Sequence, residues 1–209
     1  MSRSTLGAQE IKAIYDRLAT QYDRRERLLE WLLLRRHRRK LLSRARGEVL
    51  EVAIGTGLNL PFYPPECSIS GTDLSPVMLQ LAQRRAERLR RVVRLQEMDT
   101  QQLAFADESF DTVVSTLALC TVIDPLRALG EMARVTRPQG QLLLFEHGRC
   151  RYGTIARWQD RLTPHQVLRF GCHLNRNVLA LVQAADLQII WRESHLGGML
   201  RLIQAIPFR

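Results

Sequence analysis

Residues 48–59 read EVLEVAIGTGLN, and this stretch decides the fold. Val49, Leu50, Val52 and Ile54 make a near-continuous β-prone run, the pattern of a strand buried on both faces. The run enters a glycine loop, Gly55-Thr56-Gly57, without interruption. Glycines there let the backbone turn sharply and let a ligand come close to it. A lone G-x-G is weak evidence. Its weight rises because Asp73 closes the next β-prone segment, Ser68 to Thr72, 16 residues after Gly57. A carboxylate so placed accepts hydrogen bonds from both ribose hydroxyls of a nucleoside.

Downstream of this unit, Ser75 and Pro76 cap and start a helix that runs to about Leu89. A strand from Val92 to Glu97 leads to Asp99, and a polar turn at 106–109 precedes a strand within Phe110 to Ala118. Asp124-Pro125 opens a helix carrying Leu126, Leu129, Met132 and Ala133, which ends before Pro138. Gly140 turns the chain into a strand from Gln141 to Glu146. Residues 174–185 read as helix, and Leu187 to Trp191 and Met199 to Ile206 as the last strands. Upstream, residues 8–22 form an amphipathic helix with Ile11, Ile14, Tyr15 and Leu18 on one side. A second helix covers 24–45 and ends at Gly47. Strand and helix alternate through the centre, so the fold class is α/β, a Rossmann-like, mostly parallel sheet with helices on both faces.

The length of 209 residues fits one such domain. Two parts are expected: N-terminal lid helices at 1–46, basic and amphipathic, and a ligand-binding domain at 47–209. No stretch reaches the ~18–20 consecutive apolar residues that span a bilayer. The start of the chain has no signal-peptide pattern. Both readings place the protein in the cytoplasm, with room for peripheral contact with a membrane. The four cysteines form no CxxC pair and no His/Cys/Asp set has metal-ligand spacing, so no metal is expected.

The net charge of +10 is uneven. Residues 24–46 hold ten Arg or Lys against Glu26 and Glu30, and Arg84 to Arg94 holds six arginines against Glu87. Beside the first cluster lie Leu28, Leu29, Trp31, Leu32, Leu33 and Leu34. One reading is an interfacial helix on an anionic membrane surface; the other is a lid helix with a solvated end. No nucleic-acid partner is expected, because arginines alone do not specify one. Monomer and homodimer both remain open.

Two ligand classes compete for the loop. A dinucleotide needs G-x-G-x-x-G to seat a pyrophosphate on a helix N-terminus. Here Leu60 replaces the third glycine and Pro61 shortens any following helix. A nucleoside with a zwitterionic amino-acid tail fits better. Loop amides then meet its carboxylate, and Glu51 or Asn59 its ammonium. Asp99 suits the adenine amino group and the Thr100 amide a ring nitrogen.

Taken together, these segments resemble the class I S-adenosylmethionine-dependent methyltransferases, most closely the ubiquinone/menaquinone branch. The resemblance rests on EVAIGTG at 51–57, GTDLSPVM at 71–78, EMDT at 97–100, FADESFDTVV at 105–114 and RVTRPQG at 134–140. It implies a seven-stranded sheet of order 3-2-1-4-5-7-6 with the last strand antiparallel, and S-adenosylmethionine as cofactor. The implied cofactor contacts are Glu51, Gly55, Thr56, Gly57, Asn59, Asp73, Leu74, Met78, Asp99, Thr100 and Thr116. The sequence departs from the common motif at Ala53-Ile54, expected to be harmless, and at Gln139. YDRLATQYD at 15–23 resembles the helix that lids the cofactor in the same branch, with Tyr22 near the methyl group and Tyr15 either packing the helix or facing the acceptor.

A narrower resemblance, through NLPFYPPEC at 59–67, TLALCT at 116–121, FEHG at 145–148 and GCHLNR at 171–176, points to the animal methyltransferase-like 7 proteins and bacterial phospholipid N-methyltransferases. It implies a thiol, sulfide or phosphatidylethanolamine acceptor. The alternatives are C-methylation of a quinone precursor, or a fold that binds membranes without catalysis. Methyl transfer from a sulfonium needs an aligned, deprotonated acceptor rather than a covalent protein nucleophile. His147, after the fifth strand, is the candidate general base or else a loop histidine bonded to backbone, with Tyr22 as its catalytic companion. Cys120 lines the pocket floor. Cys172, His173 and Arg176 lie within one helical start, where they either shape the acceptor site or cap and pack.

Overall fold

The computed structural model describes residues 6–208, with the side chains of residues 25–27 left aside. Seven strands form one sheet in the order β3-β2-β1-β4-β5-β7-β6. They are β1 (Glu48–Val52), β2 (Ser68–Asp73), β3 (Val93–Glu97), β4 (Phe110–Thr116), β5 (Thr136–His147), β6 (Leu187–His195) and β7 (Leu200–Pro207). β1 to β5 pair in parallel, and β7 runs antiparallel to both β5 and β6. This is the order and polarity that the resemblance implies.

Side-chain alternation along the strands builds a core on each face. Val49, Val114, Leu143 and Phe145 point to one face, where Leu41, Leu42 and Ala86 cover them. Leu50, Val52, Val113, Leu142 and Leu144 point to the other, against Leu129, Met132, Val178 and Val182. The covering helices are α2 (Arg35–Leu42) and α3 (Pro76–Arg88) on the first face, and α4 (Pro125–Val135) and α6 (Val178–Ala184) on the second. Ser75 Oγ accepts from the Met78 amide at 3.1 Å, and Asp124 Oδ1 accepts from Leu126 and Arg127. Both expected caps are therefore in place.

The N-terminal helices differ from expectation. α1 (Ala8–Leu29) does not stop at Asp23; it passes through a π-helical turn, Glu30–Leu34, straight into α2. No Gly or Pro interrupts residues 8–42, so nothing in the sequence ends the helix there. β5 also starts five residues earlier than expected, because Thr136 pairs with Phe110.

A helix that sequence reading missed, α5 (Gly153–Phe170), holds Pro164 in its interior. Its buried stripe is Ala156, Gln159, Thr163 and Val167 at helical spacing, while Ile155, Trp158 and Leu168 are exposed. Polar and small residues face inward, so the hydrophobic period carries no helix signal. Gln159 explains the inversion: its Oε1 accepts from the Cys150 amide, and its Nε2 donates to the carbonyls of Gly148 and Leu174. α6 is shorter than the expected 174–185 helix. Asn177 is its N-cap, so Cys172, His173 and Arg176 lie in the preceding turn and not in a helical start.

Candidate cofactor and acceptor site

The C-terminal tips of β1, β2 and β3 lie side by side, and the loops after them floor one cavity, as open α/β sheets arrange their ligand clefts. Its space, open mouth included, is about 960 Å³. Glu51, Gly55, Thr56, Asn59, Asp73, Leu74, Met78, Asp99, Thr100, Thr116, Tyr15 and Tyr22 all line it. Gly57 does not. It is a packing residue: a Cβ there would meet Leu60 at 2.9 Å and the α3 backbone at Ala82 at 3.3 Å. At Gly55 a Cβ would meet nothing within 4 Å, but its φ of +58° favours glycine. The neighbouring Ala53 has φ +48°, so the expected harmless change puts a side chain in a left-handed conformation.

Asp73 already holds the loops together. One carboxylate oxygen accepts from the Gly55 amide and the other from the Ser75 amide, both at 2.9 Å. Burial raises its pKa, and these amide bonds oppose the rise. Asp99 accepts from the amide and side chain of Gln101, whose Oε1 in turn accepts from the Asp124 amide.

Glu51 forms the closed end of the cavity. Its two oxygens accept from Asn59 Nδ2 and the Tyr63 hydroxyl, each at 2.7 Å. Burial drives its pKa up to about 7, against the pull of those two bonds and of Arg38. Arg38 comes from α2 and is only 5% exposed. It donates to Asn59 Oδ1 at 2.9 Å and Thr116 Oγ1 at 3.2 Å, and pairs with Glu30 at 2.9 Å. Sequence reading missed both Arg38 and Tyr63. Arg38 hides in a run of similar residues, and its partners are 21 and 78 positions away in the chain.

α1 closes the opposite side. Lys12, Asp16 and Asp23 fall at i, i+4 and i+11, on one stripe of the helix. They bond respectively to Glu97 at the end of β3, Ser75 after β2, and Thr56 after β1. Arg85 of α3 adds an ion pair to Asp23. Tyr15 and Tyr22, one heptad apart, have ring centroids 6.5 Å apart and both face the cavity. Burial, before the charge of its neighbours, holds the Tyr15 hydroxyl well above its ordinary pKa.

Cys120, His147, Cys172, His173 and Arg176 do not line this cavity. They gather in the layer behind it. Cys172 Sγ lies 3.3 Å from His147 Nε2, and one donor atom each from Cys120, His147 and Cys172 falls within 4.8 Å of the others. No sequence spacing shows this group, because its members come from the turn after β4, the end of β5 and the turn after α5. The interaction between the two thiols, ahead of burial, pushes the Cys172 thiol down and the Cys120 thiol up. Burial lowers the His147 pKa, but its contacts with Cys172 outweigh that and the net shift is upward. His147 thus faces a sulfur atom rather than the cavity. Arg176 donates to the carbonyls of Leu119 and Val122, and the His173 amide donates to Cys120 O at 2.9 Å. Beside them Glu146 is buried and accepts from Ser115 Oγ at 2.7 Å.

This combination of sheet order, glycine turn and ordered carboxylates defines a class of fold, and comparison with known proteins specifies it. Residues 50–144 match the family model described as a methyltransferase domain. The chain belongs to the class I S-adenosylmethionine-dependent methyltransferases, whose cofactor is S-adenosylmethionine. It is 43% identical over 103 residues to a phosphatidylethanolamine N-methyltransferase of Cereibacter sphaeroides, covering 48% of this chain and 51% of that protein. It is 37% identical over 163 residues to the human thiol S-methyltransferase TMT1B, covering 74% of this chain and 66% of that one. The chain thus spans about half to two thirds of the length of these relatives. Among solved structures, geranyl diphosphate C-methyltransferase from Streptomyces coelicolor, in complex with S-adenosyl-L-homocysteine, superposes with a TM-score of 0.74. That pair is 15% identical over 95% of this chain and 97% of the other, a likeness of fold.

Proposed function

We propose that this chain transfers the methyl group of S-adenosylmethionine to a small or lipid-linked acceptor, first of all a thiol or sulfide. One observation carries the proposal: a single cavity joins the glycine turn, Asp73 and the Asp99-Thr100 pair under a roof of Tyr15 and Tyr22. In this reading Asp73 holds the ribose hydroxyls. Asp99 and the Thr100 amide hold adenine, and Leu74 and Met78 pack against it. The methionine tail lies toward Glu51, Asn59 and Thr116. Glu51 takes its ammonium group, while Arg38 and the loop amides around Gly55 and Thr56 take its carboxylate. The sulfonium methyl then points at the tyrosine roof, where Tyr22 and Tyr15 exclude water and align the acceptor. The helices α1 and α2 act as the lid; residues 1–5 of the expected lid segment 1–46 lie outside the described residues.

A thiol suits the site because it ionises with a pKa of ~8.5, so a modest positive potential delivers the nucleophile. An alkylammonium, with a pKa of ~10, needs stronger desolvation. The similarity to a thiol S-methyltransferase over 74% of the chain supports this order.

A phospholipid amine is the second reading, and a surface feature favours it. Leu28, Trp31 and Leu32 are exposed at the end of α1 and in the π turn, with Trp31 at 68%, next to exposed Arg35, Arg36 and Arg39. Such a patch suits peripheral contact with an anionic membrane. No helix among the described residues is long and apolar enough to cross one. His37, Arg38, Leu41 and Leu42 of α2 face the protein, so only part of the basic run is available to lipid.

The test is a screen with methyl-labelled S-adenosylmethionine against sulfide, small alkyl thiols, phosphatidylethanolamine vesicles and demethylated quinones. Label on the thiols supports the first reading. Label on phosphatidylethanolamine alone replaces it with the second, and label on none of them contradicts both.

A further inference from the structure

We propose that Cys120, His147 and Cys172 form a zinc site with three protein ligands and a fourth position that takes a thiol acceptor. The inference rests on the methyltransferase reading for its chemistry, but on separate residues for its geometry.

The donor atoms are close to where zinc needs them. Zn–S bonds of ~2.3 Å and Zn–N bonds of ~2.0–2.1 Å at a tetrahedral angle put S and N about 3.5 Å apart, and two sulfurs about 3.8 Å apart. Cys172 Sγ and His147 Nε2 are 3.3 Å apart, and all three donors lie within 4.8 Å of one another. Small side-chain rotations close the remaining difference.

The backbone holds the three segments together without a metal. The His173 amide donates to Cys120 O at 2.9 Å, which ties the turn of Cys172 to that of Cys120. The Gly148 and Arg149 amides donate to Met199 O and Arg176 O, both at 3.0 Å, which fixes the chain leaving His147. Arg176 clamps the Cys120 turn through two carbonyls. The ligands therefore need little ordering when a metal arrives.

The donor set selects the ion. Two sulfurs and an imidazole suit zinc and other borderline or soft ions; hard cations such as Mg²⁺ and Ca²⁺ prefer oxygen. Three protein ligands with an open position is the arrangement of catalytic rather than structural zinc. The group lies next to the cofactor cavity. Tyr15, which lines the cofactor cavity, lies close enough to both cysteines for their charges to act on it. Ala118, Thr121 and Val122 flank Cys120 in sequence and line the same cavity.

The chemistry balances. The incoming thiol gives its proton to water as its sulfur binds zinc. A sulfur lone pair then forms a bond to the methyl carbon. The bond from that carbon to the sulfonium breaks, its electron pair stays on S-adenosylhomocysteine, and the thioether leaves the metal.

The full chain is titrated with Zn²⁺ in competition with a chromophoric chelator, and in parallel with Co²⁺ as a spectroscopic probe. The expected result is one zinc per chain, and a cobalt spectrum with thiolate charge-transfer bands and tetrahedral d–d bands that shift on adding a small alkyl thiol. Cys120→Ser and Cys172→Ser each weaken zinc more than about 100-fold. The wild-type titrations decide the matter even if a variant fails to fold. Wild-type protein that takes up no zinc overturns the proposal, and so does a cobalt spectrum that thiol leaves unchanged. Calorimetry with S-adenosylmethionine, run on the same sample, tests the methyltransferase reading independently.

Discussion

The Arg38 guanidinium donates to Asn59 Oδ1 at 2.9 Å, and through that bond the second helix is tied to the loop after β1. Asn59 passes the contact to Glu51, so a cation of α2 and a strand carboxylate share one amide side chain. Arg38→Met breaks the link and leaves Glu30 without its partner. Hydrogen bonds to charged groups are worth ~1.5–3 kcal/mol, so the S-adenosylmethionine dissociation constant should rise by about 10–100-fold. Arg38→Lys should recover little of it, because a point charge cannot replace the fork that spans Glu30, Asn59 and Thr116. Calorimetry checks both; unchanged affinity in Arg38→Met would remove Arg38 from the site.

Glu51 makes the site sensitive to pH. Its pKa, pushed up to about 7 by burial, means that half of the empty protein carries a neutral Glu51 near neutrality. If the ionised form holds the cofactor ammonium, affinity should rise about fivefold between pH 6 and 7. It should fall again above about pH 8, where an α-amino group gives up its own proton. Glu51→Gln should flatten the acidic limb. The stability effect has the opposite sign. The folded-state pKa lies above the ordinary 4.5, so Glu51 supports folding below that value and loses this contribution as pH rises through about 7. Unfolding curves at pH 5 and 8 for wild type and Glu51→Gln isolate it: the variant should gain relative stability at pH 8.

Ala53 sits at φ +48° on the way into the glycine turn. A left-handed conformation costs an L-residue ~1–2 kcal/mol. Glycine removes that cost and gives back ~0.4–1 kcal/mol in unfolded-chain entropy. Ala53→Gly should therefore raise the melting temperature by about 1–4 °C. A lower melting temperature would show that the alanine methyl contributes packing that outweighs its strain.

The exposed leucines, Trp31 and nearby arginines predict binding to anionic vesicles. Each basic residue near such a surface contributes ~1 kcal/mol at low salt. Replacing Arg35, Arg36 and Arg39 by glutamate should abolish flotation with anionic vesicles, and high salt should weaken it in the wild type. Equal flotation with neutral vesicles would assign the contact to the apolar side chains alone.

The sequence made the sheet legible, and with it the residues that line the cavity from the tips of β1, β2 and β3, because both rest on local signals. Asp73 ends a strand and Asp99 follows one, Ser75 and Asp124 cap helices, and the glycine turn is contiguous. What stayed hidden depends on contacts distant in the chain. Arg38 looks like one arginine among many until its partners at Asn59 and Thr116 are seen. α5 buries a glutamine and a threonine where periodicity looks for leucine. The Cys120, His147 and Cys172 group has no spacing to read, because three separate segments bring it together.

The most direct measurement is a crystal structure with S-adenosylhomocysteine, paired with its affinity for Asp73→Ala. The ribose hydroxyls should lie on Asp73, adenine beside Asp99 and Thr100, and the amino-acid tail between Glu51 and Arg38. The variant should lose ~1–3 kcal/mol of affinity. A cofactor bound away from these residues, or full affinity in Asp73→Ala, would contradict this placement.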